Sequence, residues 1–228
     1  MCGRFGLTRE QREVAGEFAD LNVKIHVPPT EPRYNIAPSQ DILAVRRSEG
    51  DVTAQLLRWG IDVPWAKPGE RSRELINLRA ETALRGGLFG KLLDSRRIAI
   101  PASHFYEWRK GVSGSRTPMV IGPAKPELFV LAGLEGDWAD RETGEIMRAA
   151  VILTTQPNGV MGKIHNRMPV ILPRSSLARW LDPEQKGVDV ADLLAPCPDD
   201  WLLVSQASPK VNNPRNEGPE LLLGDDHL

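Results

Sequence analysis

The chain has 228 residues, 41% of them hydrophobic and 26% charged, with a formal net charge of −1. That length and composition suit a folded soluble protein with a full core and exclude global disorder. No apolar run approaches the roughly 18 residues of a membrane span, and a net charge near zero argues against a generic polyanion binder. Two cysteines, Cys2 and Cys197, exclude a disulfide framework. With an N-terminus, MCGRFGLTRE, that has no apolar signal core, they point to the cytoplasm. Charge is uneven: residues 1–110 carry 18 basic against 14 acidic side chains, a surplus of +4, and residues 111–228 carry 11 against 16, a deficit of −5. Arg outnumbers Lys 21 to 8. Arg forks suit phosphate oxygens, although a GC-rich genome raises Arg as well.

Along the chain, Thr8 and Gln11 have the spacing of a capping box, which predicts a helix to about Asp20 with Val14 and Phe18 on one face. Residues 26–40 read as a Pro-rich ordered loop. Asp41–Arg47 and Val52–Trp59 read as two strands around a turn at residues 49–51. A second Pro/Gly-rich loop, residues 62–73, contains Trp65. Glu74–Leu78 predicts a short strand, followed by helical turns to about Leu93. Strands are predicted at Arg97–Ala102, Phe105–Arg109, Met119–Ile121 and Leu128–Gly133. Met147–Thr154, the most apolar run, predicts a central buried strand. Pro169–Leu172 and Trp201–Val204 are further strands, Ser175–Leu181 and Val188–Leu194 helices, and the chain from Pro209 a loop with a frayed end. Strands outnumber helices without βαβ alternation. The expected fold is therefore α+β: a single domain with a curved, mostly antiparallel β-sheet or partial barrel flanked by short helices.

The sequence has no GxxxxGK[ST], no GxGxxG after a strand, no HExxH and no paired CxxC. His26, His104, His165 and His227 lack metal-ligand spacing. Phosphate-loop hydrolysis, dinucleotide redox chemistry and structural zinc are thereby disfavoured. Cys2 is the unusual residue. Methionine aminopeptidase removes Met1 before a small second residue, which would leave a thiol and a free α-amine on adjacent carbons. Such an amine, with a reference pKa of about 7.7–8.0, condenses with an aldehyde, and the thiol can then close a five-membered thiazolidine. The plain alternative is a small apolar residue in an N-terminal strand.

Three further segments carry polar groups in apolar settings. In INLRAETA, Asn77, Arg79 and Glu81 alternate and would share a strand face; Asn77 could hold a thiol or amine and Arg79 a phosphate, or all three could line a solvated edge. In HFYEW, Glu107 stands among aromatic residues, where a carboxyl suits acid/base work, unless the strand turns it to water. In IHNRMPVIL, His165 and Arg167 precede a strand; His165 could shuttle protons or make one structural hydrogen bond. His104 has no evident role.

Eight segments taken together, in order from residue 2 to about 217, resemble the SRAP (SOS response-associated peptidase) family of abasic-site processing proteins. They are MCGRF, RYNIAP at Arg33–Pro38, LRWG at Leu57–Gly60, PWAK at Pro64–Lys67, INLRAETA at Ile76–Ala83, FYEW at Phe105–Trp108, IHNRMPVIL at Ile164–Leu172, and VSQASPKVNN. The resemblance implies one domain over residues 1–217 with an acidic tail, 218–228. It implies covalent crosslinking of Cys2 to abasic sites in single-stranded DNA through a thiazolidine, with autoproteolysis and abasic-site lyase cleavage as side activities. By matching position, Asn77 would orient Cys2, Glu107 would be the general acid/base and His165 would assist proton transfer. Arg4, Arg79 and Arg167 would contact the DNA backbone, and Pro38 and Trp65 the flanking bases. No metal or organic cofactor and no membrane is implied, and a monomer suffices; DNA-bound protein would sit with the nucleoid. Three rival readings stay open: an N-terminal-nucleophile amidohydrolase, a thiol peptidase, and a non-catalytic binder of single-stranded DNA.

Overall fold

The computed structural model describes residues 2–21, 31–48, 51–62, 74–111, 114–140 and 143–224. The loop holding Trp65, residues 26–30 of the predicted 26–40 loop and the last four residues lie outside them; the rest of that predicted loop is described and includes a strand, Arg33–Ile36.

Two sheets form the frame. Strands β1 (Phe5–Leu7), β2 (Arg33–Ile36), β7 (His104–Lys110), β8 (Arg116–Pro123) and β12 (Leu202–Gln206) make a five-stranded sheet in the order β12-β8-β7-β1-β2. The second sheet runs β11 (Met168–Pro169), β10 (Ile146–Thr155), β4 (Asp51–Trp59), β3 (Asp41–Ser48), β6 (Arg97–Ala102), β9 (Phe129–Ala139). It closes on itself because β9 also pairs antiparallel with β10, Ile152 opposite Gly133. Gly133 permits this closure: a Cβ there would lie 2.7 Å from Ile100 Cδ1 and 3.0 Å from the Val151 carbonyl. The expected partial barrel is thus a closed five-strand ring beside an open sheet, in an α+β domain whose pairings are antiparallel apart from those of β4 and of β5 (Asn77–Arg79) with β10. β10 is the central buried strand that its apolar run predicts, bonded to β4, β5, β9 and β11.

The local corrections have physical reasons. The first helix, α1, is Gln11–Glu17, and its capping box is Glu10 with Glu13. Thr8 is diverted: its N–H and hydroxyl both bond the Ser103 hydroxyl, at 2.9 and 3.1 Å. Asn77, Arg79 and Glu81 do not share a strand face, because β5 ends at Arg79 and α2 (Ala80–Leu84) begins there. The helical turns up to Leu93 divide into α2 and α3 (Gly87–Ser95). The expected helix at Ser175–Leu181 is a 3-10 turn followed by α4 (Leu177–Trp180), and Gly187–Leu194 is 3-10 throughout. As far as Gly224 the chain from Pro209 is not the expected plain loop, and the frayed end predicted beyond it lies outside the described residues. Two 3-10 turns, Pro209–Asn212 and Pro219–Leu222, set Val211 and Leu222 against Tyr106 and Val120 on the open sheet. Apolar burial overrides the Pro/Asn-rich composition here. No helix among the described residues is long and apolar enough to cross a membrane.

Candidate functional site

The predicted chemistry converges where the two sheets meet. Cys2 leads into β1 of the open sheet and is 0% exposed. Asn77, 5% exposed, projects from β5, which hangs on the barrel through β10. Its Nδ2 donates to the Cys2 carbonyl at 2.8 Å. The sequence allowed Asn77 to hold a thiol or amine; what it holds is the backbone of Cys2. Its buried Oδ1 has no hydrogen-bond partner among the described residues. A buried acceptor left without a donor is costly, so a donor at this spot would be strongly favoured.

Glu107 on β7 does not face water. It is 3% exposed, and its charge bears on the Cys2 thiol. Burial first, and Glu107 second, push the Cys2 thiol far above its ordinary range, so the thiol is protonated at neutral pH. On the other side of Glu107, Oε1 lies 4.0 Å from His165 Nδ1. That nitrogen meets the backbone of Arg167 twice: the Arg167 N–H donates to it at 3.1 Å, and the Arg167 carbonyl lies 3.3 Å away. The amide can be used only when Nδ1 is bare, the carbonyl only when Nδ1 carries a proton. The imidazole can therefore gain or lose a proton at Nδ1 and keep a partner in either state.

The three arginines of the sequence reading separate. Arg79 is exposed and caps α2. Arg167 is buried, with its fork on Glu81 at 2.7 and 2.8 Å and one N–H on the Thr154 carbonyl at 2.6 Å. Arg4 points one terminal nitrogen at Asn35 Oδ1 and the Val211 carbonyl, both at 2.7 Å, with its guanidinium 6.0 Å from the Trp108 ring centroid. Pro38 begins a tight turn with Ser39 at φ +69°. Arg58 and Glu74 hold that turn: Arg58 bonds the Ser39 carbonyl at 2.6 Å and Glu74 at 2.6 Å, and the Ser39 hydroxyl donates to Glu74 at 2.8 Å. Among the described residues no group of three or more His, Cys, Asp or Glu is placed to hold a metal ion.

Asn35 was not singled out by the sequence reading. It is fully buried in β2 and donates to the carbonyls of Val211, Asn213 and Asn216 while accepting from Arg4. It ties the C-terminal strap to the strand beside β1. The sequence carries no clear signal for it, because residues 26–40 read as a Pro-rich loop and the strand Arg33–Ile36 shows only in the structure.

His104, without a role in the sequence, packs on Gly6, where a Cβ would come within 2.4 Å of the imidazole. Its Nε2–H donates to the Tyr34 carbonyl at 3.1 Å. Burial pushes its pKa down to about 4, so the ring is neutral in the folded protein. The unfolded chain takes up a proton near pH 6.5. The contribution of neutral His104 is therefore complete above pH 6.5 and is lost as pH falls from there towards 4, on the order of 3 kcal/mol in all. His104→Gln keeps a donor for Tyr34 and removes the titration. Its Tm should fall less steeply than the parent's between pH 6.5 and 4, and an equal slope in urea or thermal melts would refute the assignment.

An α+β barrel protein that gathers a thiol, an amide and a carboxylate–imidazole pair around residue 2 is the class that this fold and candidate site define. The family model for SOS response associated peptidase (SRAP) matches residues 1–214, and the chain belongs to that family. It is 38% identical to the abasic site processing protein YoaM of Bacillus subtilis (strain 168), with both chains covered in full. It is 28% identical to the abasic site processing protein YedK of Escherichia coli (strain K12), over 97% of this chain and 99% of that one. The fold matches a crystal structure of a Bacteroides thetaiotaomicron protein with a TM-score of 0.81, at 22% identity, over 97% of this chain and 98% of the other.

Proposed function

We propose that this protein processes abasic sites in DNA in the response to DNA damage, by joining itself covalently to them through Cys2. The observation that carries this reading is the convergence of Asn77, Glu107 and His165 on a buried Cys2, in a chain whose relatives are named abasic site processing proteins.

The steps follow from the groups present. Removal of Met1 frees the Cys2 α-amine, and the unpartnered Oδ1 of Asn77 is the acceptor for one of its protons. The neutral fraction of the amine adds to the C1′ aldehyde of the ring-opened deoxyribose. Glu107 and His165 protonate the departing hydroxyl, and water leaves to give the imine. The thiol then adds to the imine carbon, its proton passing through Glu107 to the nitrogen, and the thiazolidine closes. The net change is the loss of one water. A thiol kept protonated by burial supports addition by the amine first over the thiolate attack that a thiol peptidase needs. Autocatalytic release of residues before Cys2 and strand cleavage through the imine are side activities of the same groups.

Single-stranded DNA is the substrate in this reading, bound by a monomer in the cytoplasm and carried with the nucleoid. A missing base makes unstacking cheap. The exposed Arg79 supplies a phosphate contact that weakens with salt, with Arg4 and Arg167 behind it. Pro38 and, by its place in the sequence, Trp65 meet the flanking bases, a stacking worth ~1–3 kcal/mol per base.

Intact mass spectrometry after mixing with a single-stranded oligonucleotide bearing one abasic site tests the reading. The expected mass is protein without Met1 plus oligonucleotide less one water, stable without borohydride. Protein that has lost Met1 and yields no adduct, with or without borohydride, would overturn it. Glu107→Gln should slow adduct formation about 100-fold in a gel time course; an unchanged rate removes Glu107 from the acid/base role.

A further inference from the structure

We infer that Glu81 is a positioning residue for His165, acting through Arg167 and locking the two halves of the site together; the inference rests on the reading of the site proposed above. Glu81 stands in the first turn of α2, directly after the strand that carries Asn77. Arg167 stands two residues after His165. The carboxylate receives both arms of the guanidinium fork, 2.7 and 2.8 Å away, and a further N–H reaches the Thr154 carbonyl on β10 at 2.6 Å. One ion pair therefore spans from the element that holds the Cys2 backbone to the segment that holds the imidazole.

That segment is short: the His165 N–H bonds the Met161 carbonyl at 2.8 Å, and the buried Met161 and Met168 anchor its two ends, but these contacts leave the Arg167 side chain to the ion pair. Before it lies a three-residue 3-10 turn, Met161–Lys163, and after it β11 spans two residues. A buried guanidinium requires a partner, and Glu81 supplies the carboxylate. The Arg167 hydrogen bonds hold the Glu81 carboxyl below the usual carboxylate range, so the pair stays ionised at neutral pH. Bidentate geometry fixes orientation as well as distance. With the Arg167 side chain fixed, its backbone is fixed, and this backbone offers His165 Nδ1 its donor and its acceptor. The same nitrogen faces Glu107. Glu81 thereby sets which tautomer the neutral ring adopts, and where Glu107 can exchange a proton with it, without touching the reacting atoms.

Glu81→Gln removes the charge and one of the two acceptors while keeping the size. Nitrogen-15 NMR of the imidazole should find the neutral His165 ring of the parent with a bare Nδ1 and a protonated Nε2, and a mixture of tautomers in Glu81→Gln. Single-turnover adduct formation should fall about tenfold in Glu81→Gln. The Glu81→Gln, His165→Gln double variant should match His165→Gln within about twofold, as expected of two residues in one unit. Unchanged ring shifts in a folded Glu81→Gln protein, or losses that multiply in the double variant, would overturn the inference. Should the Gln variant not fold, Glu81→Asp, which keeps the charge but shortens the reach, carries the same spectroscopic readout. A parent protein that forms no adduct would sink the proposed function, and the ring spectra would still decide the positioning role.

Discussion

Cys2→Ala is expected to form no adduct that survives without borohydride, at any abasic-site concentration at which the parent reacts to completion. The variant keeps a small second residue, so Met1 is still removed and an amine is still present. What disappears is the sulfur that closes the ring. Cys2→Ser likewise keeps the amine, and it should yield an imine that borohydride traps and that otherwise hydrolyses. The pair of variants separates the two functions of one residue: the amine makes the first bond, and the thiol makes it last. Cys2 is fully buried, so folding of each variant is checked by circular dichroism; losing a buried sulfur costs on the order of 1 kcal/mol. A full yield of borohydride-independent adduct from Cys2→Ala would overturn the thiazolidine mechanism outright.

Arg97→Met is expected to destabilise the fold by about 3–5 kcal/mol, a large share of the roughly 5–15 kcal/mol that holds a domain together. Arg97 opens β6 and is 6% exposed. Its five N–H donors are all used on backbone carbonyls: Nε on Trp180 at 2.6 Å, one terminal nitrogen on Leu93 and Asp94, the other on Asp182 and Gln185. Leu93 and Asp94 are in the last turn of α3, and Trp180 ends α4, so the guanidinium caps two helix ends at once. The charge sits 5.8 Å from the Trp180 ring centroid, and Asp94, Asp182 and Asp189 lie near enough to offset its desolvation. Methionine fills the volume and leaves the carbonyls without donors, each costing about 1–3 kcal/mol where water does not replace the lost bond. Thermal melts should show a loss of about 10 °C or more. A loss under about 1 kcal/mol would mean that water or a shift of α4 satisfies these carbonyls. Arg97 is far from the proposed chemistry in role, so adduct formation at low temperature should persist.

The motifs were legible because the chemistry needs particular residue types. A cysteine at position 2 is conspicuous in any sequence, and a carboxylate inside HFYEW stands out against its apolar neighbours. Strand β10 was legible from its apolar run, and β3 and β4 from alternation around a short turn. Other elements were hidden for a common reason: their determinants are partners remote in sequence. Thr8 fails as a helix cap because Ser103 takes its bonds. The strap after Pro209 reads as loop because the groups that hold it, Asn35 and the Tyr106 cluster, lie over 90 residues away. Arg167 reads, by its motif, as a DNA-backbone contact, and only the fold brings Glu81 to its fork.

By itself, then, the order of residues determined the α+β class and the list of candidate groups, which follow from side-chain chemistry and short-range pattern, and, through the resemblance of its motifs, the family. The tertiary structure decided what each group faces. It turned Glu107 inward between a thiol and an imidazole, put the Asn77 amide on the Cys2 backbone, left Arg79 in solvent and buried Arg167. Such facings depend on how two sheets meet, β1 and β7 from one and β5 and the His165 segment from the other. Periodicity within a strand says which residues share a face, and packing between sheets says what that face will meet.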